Sequence, residues 1–260
     1  MKPTVKAGVI KVSGGSFEQE VIDLPVEALY TLYLNDNEIL TFMATPKMIK
    51  ELAVGFLATS GVIEKGDDIN SIIVNDADGV VWVETGSETN IKEKLLSKRF
   101  LTSGCAGGEI FEDPMSAFDL VPLKSTLRID ANIAFALMGT LLKEAKLYKI
   151  SGGMHGVMLA KDRKKVYLAE DIGRHNAVDK VIGAALLNGE SLDDMVLVAT
   201  GRISSEMLIK AARSGIAILI SRTAATELAV GIAEKVGATI AGYLRKDSMY
   251  IYSNHSRIKL

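Results

Sequence analysis

The 260-residue chain sets 30 Lys and Arg against 32 Asp and Glu, for a formal net charge of -2, and 48% of its residues are apolar. A chain of this length holds one large domain or two lobes with a real core, and its charge balance excludes a surface built to coat nucleic acid. The single cysteine, Cys105, excludes an internal disulfide and a multi-cysteine zinc site and fits a reducing cytoplasm. No apolar run approaches the roughly 20 residues of a membrane helix, and Met1-Lys2-Pro3-Thr4-Val5-Lys6 is no signal peptide. The expectation is a cytoplasmic protein with neither a membrane nor a nucleic-acid partner.

In chain order, Ala7 to Val12 and Glu18 to Ile22 predict two strands around Ser13-Gly14-Gly15-Ser16. Ala28 to Leu34 alternates into Asn35-Asp36-Asn37, a hairpin turn, with Glu38 to Met43 as the return strand. Thr45-Pro46 predicts a helix start, with Thr45 as N-cap and Pro46 at the first helical position. Ile49, Leu52, Ala53, Phe56 and Leu57 share one face of that helix, and Gly61 ends it. Ile69 to Val74 and Gly79 to Thr85 predict a second hairpin. A polar, lysine-rich stretch, 88–98, leads to Ser103-Gly104-Cys105-Ala106-Gly107-Gly108. A buried cysteine normally sits in an apolar strand or helix, whereas this glycine-rich setting predicts a mobile, exposed loop. Both readings of Cys105 stand at this point, and Lys98, Arg99 and the loop amides favour its thiolate. Pro114 to Leu123 reads as a linker. Residues 1–125 are thus expected to form an α+β N-terminal lobe.

The second lobe, 126–260, begins with Asp130 as the expected N-cap of a helix from Ala131 to Ala145, and Ser151-Gly152-Gly153 breaks the chain after it. Met154 to Ala160 and Lys165 to Ala169 predict a hairpin, and Asn176 to Leu187 a helix ended by Asn188-Gly189. Met195 to Thr200 is a strand, Ser204 caps a helix to Arg213, and Ile216 to Ser221 is a further strand. Thr223 or Thr226 starts a helix through Val236, closed by Gly237. Thr239 to Arg245 and Ser248 to Ser253 are read as strands around Lys246-Asp247. The order predicts a mixed sheet of about five strands between helix layers.

The polar residues collect where these strands end, which is where α/β proteins place their ligands. Within Glu170 to Lys180, the seven residues Glu170 to Asn176 pack two acids, Arg174, His175 and Asn176 into one strand-to-helix turn. Arg174 and His175 beside helix amides suit a phosphate or pyrophosphate, and an Arg174 pairing with Glu170 or Asp171 is the alternative. Gly201-Arg202 repeats the device ahead of Ser204, Ser205 and Glu206. Ser204 serves either as N-cap or as ligand contact, and Lys210 either points back to the turn or is solvated. Ser221-Arg222-Thr223 and the charged tip at Arg245-Lys246 are weaker candidates. His155, after Gly152-Gly153, is either a satisfied strand-end histidine or a donor beside the Asp171 loop. A zinc deaminase needs a Glu two residues after that histidine and a downstream Cys-x-x-Cys, and the chain has Val157 and no further cysteine. No metal site is therefore expected.

Four segments, Glu170-Asp-Ile-Gly-Arg-His-Asn-Ala-Val-Asp-Lys180, Gly201-Arg-Ile-Ser-Ser-Glu-Met207, Ser151-Gly-Gly-Met-His155 and Glu51-Leu-Ala-Val-Gly-Phe-Leu57, stand in an order that resembles the FdhD/NarQ family of formate dehydrogenase accessory sulfurtransferases. The resemblance covers nearly the whole chain. It implies a cytidine-deaminase-like α/β fold without zinc, and homodimers. It also implies that a cysteine desulfurase loads a persulfide onto Cys105. The sulfur then passes to the molybdenum or tungsten of a bis-(molybdopterin guanine dinucleotide) cofactor, carried as cargo, before insertion into formate dehydrogenase. The family's cofactor-binding segment maps onto Tyr243, Leu244, Arg245, Lys246, Asp247 and Ser248. The chain departs from the family's Cys-Gly-x-Cys-Gly loop, since Gly108 stands at the second cysteine. A persulfide needs one thiolate, so Cys105 remains the expected carrier, and a cofactor-binding chaperone without sulfur transfer is the rival.

Overall fold

The computed structural model describes residues 1–86 and 120–260. The polar stretch 88–98, the Cys105 loop and most of the expected linker lie outside those residues.

The chain opens with a ribbon of two ten-residue strands, β1 (Thr4–Ser13) and β2 (Ser16–Pro25), joined at Gly14-Gly15 with both glycines at positive φ. Next come β3 (Ala28–Leu34) and β4 (Asn37–Ala44), then helix α1 (Ile49–Thr59), then β5 (Ile69–Asn75) and β6 (Val80–Thr85). These four strands form a sheet in the order β4-β3-β6-β5. The Asn35-Asp36 turn of the β3–β4 hairpin has positive φ at both residues, as its sequence requires. Tyr30, Leu32, Leu34, Phe42, Val81 and Val83 point inward and pack on Leu52, Ala53 and Leu57 of α1.

One expectation fails here. Thr45 does not cap α1, which starts four residues later behind Met48, itself at φ 56°. The polar groups of Thr45 are engaged elsewhere. Its N–H donates to Asp171, its carbonyl accepts from Lys180, and its hydroxyl accepts the N–H of Ile172.

In the second lobe β7 (Ile129–Asp130) leads into α2 (Ala131–Glu144), and a short α3 (Lys146–Ser151) that the sequence did not announce follows it. Asp130 holds the N-cap position of α2 without a side-chain cap bond, its carboxylate lying 3.6 Å from Arg163 instead. Then come β8 (His155–Lys161), β9 (Lys164–Asp171), α4 (Arg174–Leu187), β10 (Val196–Ala199) and α5 (Ser205–Arg213). The chain ends with β11 (Ile218–Ser221), α6 (Glu227–Val236), β12 (Thr239–Gly242), β13 (Tyr250–Ile251) and β14 (Ile258–Lys259), which pairs with β7. Thr226, not Thr223, caps α6.

The sheet has six strands in the order β13-β12-β11-β10-β8-β9, one more than expected. β10, β11 and β12 run parallel, whereas β8 is antiparallel to both of its neighbours. The strands alternate between two cores: Val157, Leu159, Leu197, Ala199, Leu219 and Ile240 face α4, α5 and α6, and Met158, Ala160, Val196, Val198, Ile218 and Ile220 face α2. The expected long strand to Arg245 stops at Gly242, because Tyr243 at φ 51° turns the chain out of the sheet.

The lobes meet where α1 crosses α4, at two glycines. A Cβ on Gly55 would lie 1.8 Å from the Asp179 carbonyl oxygen, and one on Gly183 would lie 1.9 Å from that of Glu51. Such an approach of two helix backbones admits no side chain at either position. Two buried ion pairs flank the crossing. Lys180 donates to Asp171 and to the carbonyl of Thr45, and Lys210 donates to Asp179 and to Thr59.

Candidate functional site

The antiparallel setting of β8 puts its first residue, His155, opposite Asp171, the last residue of β9, and on the same edge as the carboxyl ends of β10, β11 and β12. Three turns therefore open on one sheet edge: Ile172-Gly173 before α4, Thr200 to Ser204 before α5, and Arg222 to Ala225 after β11.

Asp171 shapes the first turn. Besides Thr45 and Lys180, its carboxylate accepts the Gly173 N–H at 2.8 Å and the Asn176 amide at 3.0 Å. Glu170 accepts the N–H of Tyr148 at 2.6 Å. Both acids thus have other work than pairing with Arg174, which takes the first position of α4 with Gly173 as N-cap. In the second turn Gly201 is the floor. A Cβ there would lie 3.0 Å from Nδ1 of His155 and 3.5 Å from Cβ of Arg174, so His155 and Arg174 both lie against Gly201. Arg202 is exposed above them. Its charge lies near enough to Arg174 to help depress the latter's pKa, after burial, the larger cause.

His175 turns the other way. Its Nε2 lies 3.2 Å from Ser204 Oγ and its Nδ1 lies 3.3 Å from Oε2 of Glu206. Burial, then the Arg174 charge, holds this imidazole down to a pKa of about 3, so it is neutral at physiological pH and its approach to Glu206 is no charged pair. Burial likewise raises the Glu206 carboxyl, whose Oε2 is buried with no hydrogen-bond partner among the described residues. His155 is lowered by burial first and by Arg174 second. Ser204 Oγ accepts the Met207 N–H, so the structure gives it the N-cap role, with His175 held against the cap. Lys210 neither points at the turn nor meets solvent; its ammonium is committed to Asp179 and Thr59.

The loop Tyr243–Ser248 forms a second patch on this edge. Leu244 is buried, while Tyr243, Arg245, Lys246, Asp247 and Ser248 are exposed. The Arg245 guanidinium donates to the carbonyls of Arg222 and Leu244 and lies 5.9 Å from the Tyr243 ring centre. Ser221 ties the patches together: its Oγ donates to the Gly201 carbonyl at 2.7 Å, and its own carbonyl accepts the Leu244 N–H. Of the expected site residues, His155, Arg174, His175, Gly201, Arg202 and Ser204 thus come together, and the six from Tyr243 to Ser248 lie beyond Ser221 as a neighbouring group. Sequence reading missed the Asp171–Lys180 and Asp179–Lys210 pairs. The signal for them lay in Asp179 and Lys180, two adjacent charged residues inside the otherwise apolar run Ala177 to Ala185 of α4. No group of three or more potential metal-ligating side chains occurs among the described residues, and none of their helices is long and apolar enough to cross a membrane.

Fold and edge together define a mixed α/β protein with a glycine-floored strand-end site, carrying guanidinium and imidazole groups and one acceptor carboxylate. Comparison with known proteins narrows the class. Residues 25–259 match the model of the FdhD/NarQ family, and the chain belongs to that family. It is 34% identical to the sulfur carrier protein FdhD of Listeria monocytogenes over 250 residues, covering 95% of this chain and 96% of that one. Its identity to the Bacillus subtilis protein of the same name is also 34%, over 258 residues, 99% of this chain and 98% of that one. Among solved structures, a Desulfotalea psychrophila protein assigned as a formate dehydrogenase accessory protein superposes with a TM-score of 0.81 at 27% identity, covering 98% of this chain and 99% of that one.

Proposed function

We propose that this protein is a sulfur carrier in formate dehydrogenase maturation, with Cys105 as the carrier residue. The Cys105 thiolate attacks the outer sulfur of a persulfide on a cysteine desulfurase, and the donor's own thiolate leaves. The outer sulfur on Cys105 then passes as a neutral sulfur atom to the reduced molybdenum or tungsten of a bis-(molybdopterin guanine dinucleotide) held as cargo; the metal supplies the two electrons that make it a sulfido ligand, the Cys105 thiolate leaves, and the cofactor goes on to formate dehydrogenase. Relatives named sulfur carrier protein along almost the full chain support the carrier role.

The observation that carries the cargo reading is the meeting of His155, Arg174, His175, Gly201 and Arg202, from separate turns, at one sheet edge. The residues fit a phosphate-bearing ligand. Gly201 leaves room for His155 and Arg174 to lie against it, Arg174 and Arg202 supply guanidinium groups, and the His155 imidazole gives a hydrogen bond without a fixed charge. The exposed Tyr243–Ser248 loop, with its arginine and ring, takes the base end of the same nucleotide. The second lobe is deaminase-like in this reading. Its helix, antiparallel strand pair, then alternating helices and parallel strands support that.

Mass spectrometry of the intact protein after incubation with an active desulfurase and cysteine tests the carrier step. One added sulfur on Cys105 is expected, and its absence with an active donor defeats the reading. Gly108, at the place of a second loop cysteine, favours the rival, a chaperone that presents the cofactor without transferring sulfur. A Cys105→Ala protein that still supports formate dehydrogenase would establish that rival.

A further inference from the structure

The first lobe reaches into the strand-end site of the second. The β4–α1 connection lies against the turn that joins β9 to α4, and Thr45, Asp171 and Lys180 at that contact are wholly buried. The Thr45 N–H donates to Asp171 Oδ2 at 3.0 Å. Lys180 donates to the same oxygen and, at 2.9 Å, to the Thr45 carbonyl. Asn176, in the first turn of α4, donates from its side-chain amide to the Met43 carbonyl at 2.9 Å and to Asp171 Oδ1 at 3.0 Å.

The Thr45 hydroxyl has two partners of its own. It accepts the Ile172 N–H at 3.2 Å, and its O–H donates weakly to Met154 Sδ at 4.0 Å. Ile172 leads through Gly173 to Arg174, and Met154 directly precedes His155. One buried hydroxyl therefore touches both segments that lay Arg174 and His155 against Gly201. The Gly173 N–H is in turn held by Asp171 Oδ1 at 2.8 Å. With the Ile172 and Gly173 N–H groups both engaged by buried side chains, an anion at this edge is met by guanidinium and imidazole groups. The turn's part is to fix where Arg174 starts, and that place is set from the first lobe. The backbone bonds of Thr45, to Asp171 and Lys180, suffice to join the lobes; only its hydroxyl adds the links to the site.

We infer that Thr45 and Asn176 are positioning residues for the ligand site, holding Arg174 and His155 in the arrangement that receives the nucleotide end of the cofactor. The inference rests on the reading of this edge as a phosphate-binding site. Thr45 is buried and acts only through Ile172 and Met154, and Asn176 acts through the Met43 carbonyl and Asp171. Side chains fixed before a ligand arrives lose less freedom when it binds, and one buried hydrogen bond that fixes them accounts for up to about tenfold in affinity.

Thr45→Val is the test, since it keeps the outline of the side chain and both backbone bonds and removes only the hydroxyl. Guanosine diphosphate is the probe, titrated calorimetrically into the full chain. Thr45→Val should keep the native circular dichroism and bind about tenfold more weakly, and Thr45→Ser, which restores the hydroxyl, should bind within about twofold of wild type. Hydrogen exchange over residues 171–176 should quicken in Thr45→Val and return to the wild-type rate in Thr45→Ser. Val83→Ala, in the core at the end of the first-lobe sheet away from Ala44, lowers stability without touching the turn and should bind as wild type does. If Thr45→Val does not fold, Asn176→Ala takes its place, with an expected loss of about threefold or more, and unchanged affinity there overturns the inference. A Thr45→Val protein that binds as wild type does overturns it and leaves the ligand reading standing. So does Thr45→Ser binding as weakly as Thr45→Val, or Val83→Ala losing as much affinity. A wild type that does not bind guanosine diphosphate removes the ligand reading and this inference with it.

Discussion

Gly183→Ala tests the crossing of α1 and α4. The added methyl would lie 1.9 Å from the Glu51 carbonyl oxygen and near the Gly55 backbone, where no rotamer relieves it, so the helices must part by at least about 1.1 Å to reach 3.0 Å. A gap of that size forfeits a quarter to a half of each contact along the crossing, and overpacking against backbone costs about 3 kcal/mol. For a chain of this size that is a fall in Tm of about 6–12 °C. Gly139→Ala is the control. Gly139 lies within α2 with nothing within 4 Å of its would-be Cβ. It should gain about 0.5–1 kcal/mol from helix propensity alone. Differential scanning calorimetry of both variants decides the matter. A Gly183→Ala protein melting within about 1 °C of wild type would refute the close approach and the argument built on it.

Lys210→Met should cost about 3–5 kcal/mol in chemical denaturation, because it leaves the Asp179 carboxylate buried and unpaired, and Asp179→Asn in the same chain should recover part of the loss. For His175 the folded pKa, about 3, lies below the ordinary 6.5, so its contribution is fully present above pH 6.5 and is lost as pH falls toward 3. Over that window the slope is at most about 1.4 kcal/mol per pH unit, and the stability profile of His175→Gln should be flatter than wild type there; parallel profiles would show that the imidazole is not held neutral. Gly201→Ala should leave Tm within about 2 °C but weaken guanosine diphosphate binding about tenfold in calorimetric titration, because the new Cβ pushes against His155. Unchanged affinity would remove this turn from the ligand site.

Elements with strong local signals were legible. Glycine pairs, Asn-Asp turns and period-two alternation gave the hairpins of both lobes, and Ser204 and Gly237 gave the ends of α5 and α6. The strand-end cluster was legible for a related reason: a turn rich in Arg, His and Gly has little local use for them. What failed depended on distant partners. Thr45-Pro46 has the composition of a helix start, yet residues more than a hundred positions away claim every polar group of Thr45. Lys210 reads as a solvated helix lysine because nothing nearby announces Asp179. Within Glu170 to Lys180, Arg174 and His175 serve the edge while Asp171, Asp179 and Lys180 serve the junction of the lobes, and one linear string cannot show that division.

The α1–α4 crossing also bears on how the chain is made. Gly55 leaves the ribosome about 130 residues before Gly183, the residue that completes its contact. The sheet behind α1 is complete only at Thr85, about 100 residues before Gly183, so at 5–20 residues per second it has its helix but not the helix's partner for roughly 5–20 s. During that interval the nascent first lobe presents the back of α1, with its bare glycine, to the cell's folding machinery, and a pause placed late in translation would lengthen the exposure.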